Sequence, residues 1–162
     1  MIEEWLAAPL EARVALLVLG VALAVSIATD LRERRILNAV TYPALLITAA
    51  CVFWLGGLAL LLEAALGALL CAAPLGIAMW RGWMGAGDVK LMALAGLTAG
   101  AASGWPFCLT VLVDVAIAGG LQALLWIAVA RVRGRPPPSA VPYALAIAAG
   151  VTWAFVSGTA LF

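Results

Sequence analysis

The chain has 162 residues, of which 67% are hydrophobic and only 10% are charged, and its mean hydropathy is +1.17. Soluble domains are roughly half apolar and a quarter charged, so this composition excludes an ordinary soluble fold and predicts an integral membrane protein. The net charge of +1 gives no basis for nucleic-acid binding, and the absence of histidine excludes histidine triads and histidine metal ligands.

Apolar runs separated by short polar or glycine-rich segments predict an all-α bundle of about six transmembrane helices. An acidic head precedes the first run, whereas a signal peptide has a basic head, so we interpret this run as a retained span. The predicted spans are 10–29, 36–55 (or 39–55), 58–80, 89–102, 107–130 and 141–161. No hydrophilic stretch is long enough to fold separately, so residues 1–162 are predicted to form a single transmembrane domain.

Positive charges follow the first, third and fifth predicted spans. Every Lys or Arg except Arg13 falls on one side of the bundle, with Arg32, Arg34 and Arg35 directly after the first span. By the positive-inside rule this side is cytoplasmic, and the N- and C-termini are predicted to lie outside. The arginines are also expected to meet anionic lipid headgroups.

The fourth predicted span is the shortest, close to the ~17-residue lower limit for crossing the hydrocarbon core. It is interpreted as a tilted or partly re-entrant segment, or as a crossing in a thinned region. Gly96 and Gly100 stand four residues apart, and Gly100 and Gly104 repeat the spacing. This spacing permits close packing of a central helix, although glycine is common in membrane helices generally.

Two acids, Asp30 and Asp88, lie at the cytoplasmic ends of predicted spans. Gly85 and Gly87 precede Asp88 and let the backbone bend and another segment approach closely, so Asp88 is expected to be presented at the start of a helix. An ionised carboxylate near bilayer depth is expensive, which favours a functional role. The alternative is an interfacial carboxylate paired with a nearby cation, Arg32 or Lys90.

Two carboxylates close together in a poorly solvated site share one proton, because both cannot ionise cheaply. The ionised member can then act as a general base on water, while the protonated member donates to a scissile carbonyl oxygen. This chemistry needs no metal and no cofactor. The sequence does not assign the two roles to the two acids.

The polar residues form three motifs in a fixed order along the chain. Asp30 is followed by Arg32 and Asn38, then comes Gly85-x-Gly87-Asp88-x-Lys90, and Pro142-Tyr143 stands near the last span. Together they resemble the type IV prepilin peptidases, the bacterial branch of the Gly-x-Gly-Asp intramembrane aspartic proteases.

The resemblance implies that Asp30 and Asp88 are the catalytic pair and that the other motif residues support them. It implies a pilin precursor as substrate, with its leader and hydrophobic helix, cleaved after a glycine at the cytoplasmic face of the bacterial inner membrane. Leu37 stands where the family often has proline, and the nine residues 30–38 leave no room for the cysteine-bearing loop of larger members, so no methyltransferase activity is predicted. The short form resembles the peptidases that serve tight-adherence, or Flp-type, pili.

Two other functions stay open at this stage. A small proton- or ion-coupled transporter would use Asp30, Asp88, Glu63 and Asp114 as an ion path, and a Gly-x-Gly-Asp protease could cut other transmembrane substrates. Asp114 lies about 10 Å along its helix from the outer end, on the far side from the acid pair. We predict that it is structural and bonded to a polar group or to water.

Overall fold

The fold is described from a computed structural model, which describes residues 8–134, 136 and 141–158. These residues form five α-helices, which confirms the all-helical class. Most of the predicted acidic head lies outside them. The helices are α1 Leu10–Glu33, α2 Asn38–Trp80, α3 Ala86–Ser103, α4 Trp105–Val132 and α5 Tyr143–Ser157.

A single helix, α2, covers most of the second and third predicted spans. Its 43 residues would measure about 65 Å if straight, twice the ~30 Å hydrocarbon thickness. Gly57, with φ 78° and ψ −179°, breaks the helical geometry. Val52 before the break and Ala64 after it pack in one cluster with Leu97 of α3, so the two halves fold back on each other.

The prediction of six separate helices is therefore wrong as a helix count. The described residues form five helices, and three of them, α1, α2 and α4, are long and apolar enough to cross a membrane. The reason is the glycine pair Gly56-Gly57, which lies between the second and third predicted spans. Only Gly57 leaves the helical region, so the backbone changes direction at one residue.

The helix α3 is the centre of the bundle. Most of it, from Leu91 to Ala101, is buried. A Cβ added at Gly96 would collide with the carbonyl oxygen of Gly67 on α2, and one added at Gly100 would lie 2.8 Å from the Cα of Ala64. The glycine spacing therefore serves close backbone packing against α2, as the first of the two interpretations predicted.

Large apolar side chains cover the outer faces of the bundle. Leu46, Leu69 and Leu124 are each more than 60% exposed, and Trp80 at the end of α2 is 83% exposed. Such extensive exposed apolar surface is unfavourable in water and suits contact with lipid. Together with the long apolar helices, it identifies a multi-pass membrane protein.

The helix α1 runs past the predicted end of the first span. The span was predicted to end at Thr29, but α1 continues to Glu33. Arg34 then adopts the left-handed conformation, with φ 55°, and its N–H donates to the carbonyl of Asp30 at 3.0 Å. Asp30 is thus held in the last turn of a helix, on the buried face that also carries Ser26.

Candidate active site

Asp30 and Asp88 line the same two cavities at one end of the bundle. One cavity, of about 450 Å³, lies between the turn that joins α1 to α2 and the start of α3. The other, of about 540 Å³, lies between the loop that precedes α3 and the start of α5, where Tyr143 lines it. The fold therefore brings together two acids that are 58 residues apart in sequence.

Asp30 is almost fully enclosed by the protein. It is 8% exposed, and its Oδ2 accepts a hydrogen bond from the Ala144 N–H at 3.1 Å. Ala144 is the second residue of α5, where backbone N–H groups have no partner within the helix. The Asp30 carboxylate therefore accepts from an N–H that the helix itself leaves without a partner.

Asp88 is the third residue of α3 and lies outside the three candidate spans. Its Oδ2 accepts a hydrogen bond from the Gly85 N–H at 3.2 Å, which caps the helix. Burial raises the pKa of Asp88 to about 6, the Gly85 hydrogen bond opposes this rise, and the negative charge of Asp30 adds to it. Asp88 therefore holds its proton more readily than an ordinary aspartate.

The two glycines before Asp88 allow two close approaches. A Cβ at Gly87 would lie 2.6 Å from the Ile36 Cβ and 3.3 Å from the Ile36 carbonyl oxygen. A Cβ at Gly85 would lie 3.2 Å from Asp88 Oδ2. The start of α3 can therefore sit directly against the segment that leads from Asp30 into α2.

Lys90 bonds to α2, contrary to the suggestion that it pairs with Asp88. Its Nζ donates to Asn38 Oδ1 at 2.7 Å and lies 4.4 Å from the centre of the Tyr42 ring. The amide dipole and the aromatic face both favour the ammonium charge. Lys90 and Asn38, two predicted motif residues, therefore join the start of α2 to the first turn of α3.

The Pro142-Tyr143 motif forms the start of α5. Pro142 caps the helix, and its carbonyl accepts a hydrogen bond from Gln122 Nε2 of α4 at 2.6 Å. Tyr143 lies against Gly119, where an added Cβ would be 2.8 Å from the tyrosine hydroxyl oxygen. Arg32, the remaining predicted site residue, is exposed and lines neither cavity.

Sequence reasoning missed three contributors to the site, Ile36, Tyr42 and Gln122, and it gave no role to Ala144, which belongs to the motif around Pro142-Tyr143. Tyr42 had a signal, because it stands one helical turn after Asn38. Ala144 contributes only a backbone N–H, although a helix starting after Pro142 predicts free N–H groups there. Ile36 and Gln122 act through contacts that are distant in sequence, and the sequence carried no signal for them.

The two outlying acids, Glu63 and Asp114, line neither cavity. Glu63 Oε2 lies near Gly104, at the start of α4, 3.4 Å from where a Cβ would stand. Asp114 Oδ2 is buried and has no hydrogen-bond partner among the described residues. The polar group that we predicted for Asp114 is therefore not found at this oxygen.

Comparison with known families identifies the family of this chain. A model of the type IV leader peptidase family matches residues 17–154, most of the chain, and the matched region includes both cavity-lining aspartates and the start of α5. Comparisons with curated proteins and with solved structures found no match.

Proposed function

Since this chain belongs to the type IV leader peptidase family, we propose that it is a membrane-embedded aspartic endopeptidase that removes the leader from type IV prepilins. The proposed catalytic pair is Asp30 and Asp88, the proposed substrates are Flp-like pilin precursors, and the proposed location is the cytoplasmic face of the bacterial inner membrane. The observation that carries the proposal is that the two acids line common cavities, where burial and, to a lesser extent, the charge of Asp30 raise the pKa of Asp88.

The surroundings of the two carboxyl groups support different roles. Asp30 accepts the N–H of Ala144 at a helix start, which suits the ionised member of the pair. Asp88 has a raised pKa, which suits the protonated member. Asp30 is therefore the general base in our proposal, and Asp88 is the general acid.

The reaction then proceeds through a tetrahedral intermediate. Asp30 removes a proton from water as the water oxygen attacks the scissile carbonyl carbon, and Asp88 donates its proton to the carbonyl oxygen. As the intermediate collapses, the leaving nitrogen takes the proton from Asp30 and the carbon–nitrogen bond breaks. Asp88 recovers its proton from the hydroxyl that becomes the new carbonyl, so the pair returns to its starting state.

The proposed topology treats the two halves of α2 as separate crossings. In this proposed topology both termini lie outside. The support is the break at Gly57 and the packing of both halves against α3. The arginines that follow α1 and α4 then lie on the cytoplasmic side with the two acids.

Coexpression with a pilin precursor tests the function directly. Active enzyme converts the precursor into a faster-migrating product whose new N-terminus follows the leader. Purified enzyme in lipid vesicles should reproduce the cleavage with no other protein present. Cleavage of an unrelated transmembrane segment, with the precursor left intact, would replace the proposed substrate with a broader one.

The pH dependence of cleavage should show the proton held by Asp88. The proposed general acid must be protonated, so kcat/KM should fall as the pH rises through about 6, the pKa of this carboxyl group. The measurement is initial cleavage rate at low substrate concentration over a pH series on both sides of that value. A rate that stays constant or rises through this region would assign the acid role elsewhere.

Asp114 distinguishes a peptidase from an ion-coupled transporter, because its buried Oδ2 without a partner is the feature that favours a transporter. Asp114→Asn removes the charge and keeps the shape. We expect cleavage close to that of wild type, since Asp114 lies outside both cavities and asparagine keeps the size of the side chain. Ion flux into vesicles that disappears in this variant would support the transporter instead.

A further inference from the structure

We infer that Gln122 of α4 is a positioning residue that holds the start of α5 so that the Ala144 N–H can support the charge on Asp30. The inference rests on the proposed function of Asp30 as general base. Gln122 lines neither cavity and belongs to none of the motifs that the sequence singles out.

The contact is a short chain of two hydrogen bonds. Gln122 Nε2 donates to the Pro142 carbonyl at 2.6 Å, and two residues later the Ala144 N–H donates to Asp30 Oδ2 at 3.1 Å. Pro142 is buried and has φ −63°, fixed by its ring. A displacement of the Pro142 carbonyl therefore moves the first turn of α5 as a unit, including the N–H that faces Asp30.

The chemistry of the two partners fixes the orientation of the Gln122 amide. A proline carbonyl can only accept, so the amide nitrogen must face it. The amide oxygen, Oε1, is then buried and has no partner among the described residues. A buried acceptor without a partner is unfavourable, so this arrangement is held at a cost to the fold. A positioning role accounts for that cost.

Several charged or titratable groups share the cavities with Asp30 and contribute to the pH dependence of cleavage. None of them bonds to Gln122 in the contacts described above, but Tyr143 belongs to the first turn of α5 and moves with it. They are Arg34 and Arg35 after α1, Asp88 and Lys90 of α3, and Tyr143 of α5.

The first test is Gln122→Met, which keeps the length of the side chain and removes the donor. We expect kcat to fall about fivefold, the effect of one lost hydrogen bond, with KM little changed. The acidic limb of the rate profile should move to higher pH, because the general base loses the fixed position of the Ala144 N–H. The matched control is Leu125→Met, on the same helix and 63% exposed, which should behave as wild type.

The second test is Gln122→Glu, which separates positioning from general damage to the fold. A protonated glutamic acid can donate to the Pro142 carbonyl, whereas an ionised glutamate cannot. The rate relative to wild type should therefore be nearly normal at low pH and fall as the new carboxyl group ionises. For Gln122→Met the relative rate should change with pH in the opposite direction.

The outcomes separate this inference from the proposed function. If wild type leaves the precursor uncut, or Asp30→Asn still cuts it, the proposed function fails. If wild type cuts and Asp30→Asn does not, but both Gln122 variants keep the wild-type pH profile, the positioning role is wrong. If Gln122→Met fails to fold, Gln122→Glu provides the test. A rate of Gln122→Glu, relative to wild type, that does not change with pH would also overturn the inference.

Discussion

Replacing either Asp30 or Asp88 with asparagine is expected to abolish cleavage of the leader peptide. In the proposed mechanism each acid supplies or accepts a proton in the transition state, and such a group contributes roughly a hundredfold to ten-thousandfold in rate. Because the two acids act together in one proposed step, the loss of either removes the function of the other. The double variant should therefore be no slower than either single variant.

The substitutions are also expected to preserve the fold. The asparagine side-chain oxygen can still accept the Ala144 N–H at position 30 and the Gly85 N–H at position 88. The measurement is cleavage of a pilin precursor by equal amounts of folded protein. Glu33→Gln, at the exposed end of α1, is the matched control and should cleave normally. Substantial turnover by either asparagine variant would remove that residue from the mechanism.

The sequence predicted the class of fold because a bilayer requires its spanning segments to be long and apolar, and composition shows such segments directly. Long apolar runs must form helices in lipid, where every backbone group needs an internal partner. The same reasoning did not predict how two neighbouring runs connect. Gly56 and Gly57 are equally good turn residues in sequence, but only Gly57 takes a positive φ, and the residues on both sides of it are helical. The end of α1 was also predicted wrongly. The predicted span ended at Thr29, before the charged Asp30, but the helix continues through Asp30 to Glu33.

The parts of the candidate site that consist of polar side chains could be predicted from the sequence. The two aspartates and Tyr143 line a shared cavity, and Lys90 meets Asn38. The parts that were missed depend on backbone groups and on packing between distant segments. The Ala144 N–H would be present with any residue except proline at that position, so its identity gives no signal. The role of Gln122 depends on the height at which α4 passes the start of α5, which helical periodicity does not determine.

Gly87→Val is expected to cause the second large loss of activity, through displacement of Asp88. The added Cβ would lie 2.6 Å from the Ile36 Cβ and close to the Ile36 carbonyl oxygen. Neither atom is the free end of a flexible side chain, so the start of α3 must move away from the segment after α1. Asp88 is the next residue and moves with it. A displacement of about 1 Å at a catalytic group can cost on the order of a hundredfold in rate.

The effect of Gly87→Val should be graded and specific to its position. Gly87→Ala adds only the Cβ, so it should lose less activity than Gly87→Val. The matched control is Gly76→Val in α2, where an added Cβ meets nothing within 4 Å. That variant should retain wild-type cleavage, which shows that valine in place of a helical glycine is tolerated in this bundle. Gly87→Val, Gly87→Ala and Gly76→Val should be compared by cleavage rate and by thermal unfolding in the same detergent.

The amount of folded protein and the pH dependence of cleavage together show whether displacement of Asp88 causes the loss of activity in Gly87→Val. Gly87→Val should accumulate as folded protein with a low kcat, because the collision lies at the first turn of α3 and the buried remainder of that helix is unaffected. Its activity should stay low at every pH, since a misplaced Asp88 is inactive whether or not it holds a proton. If Gly87→Val instead cleaved as fast as Gly76→Val, the close approach of α3 to Ile36 would have no part in placing Asp88.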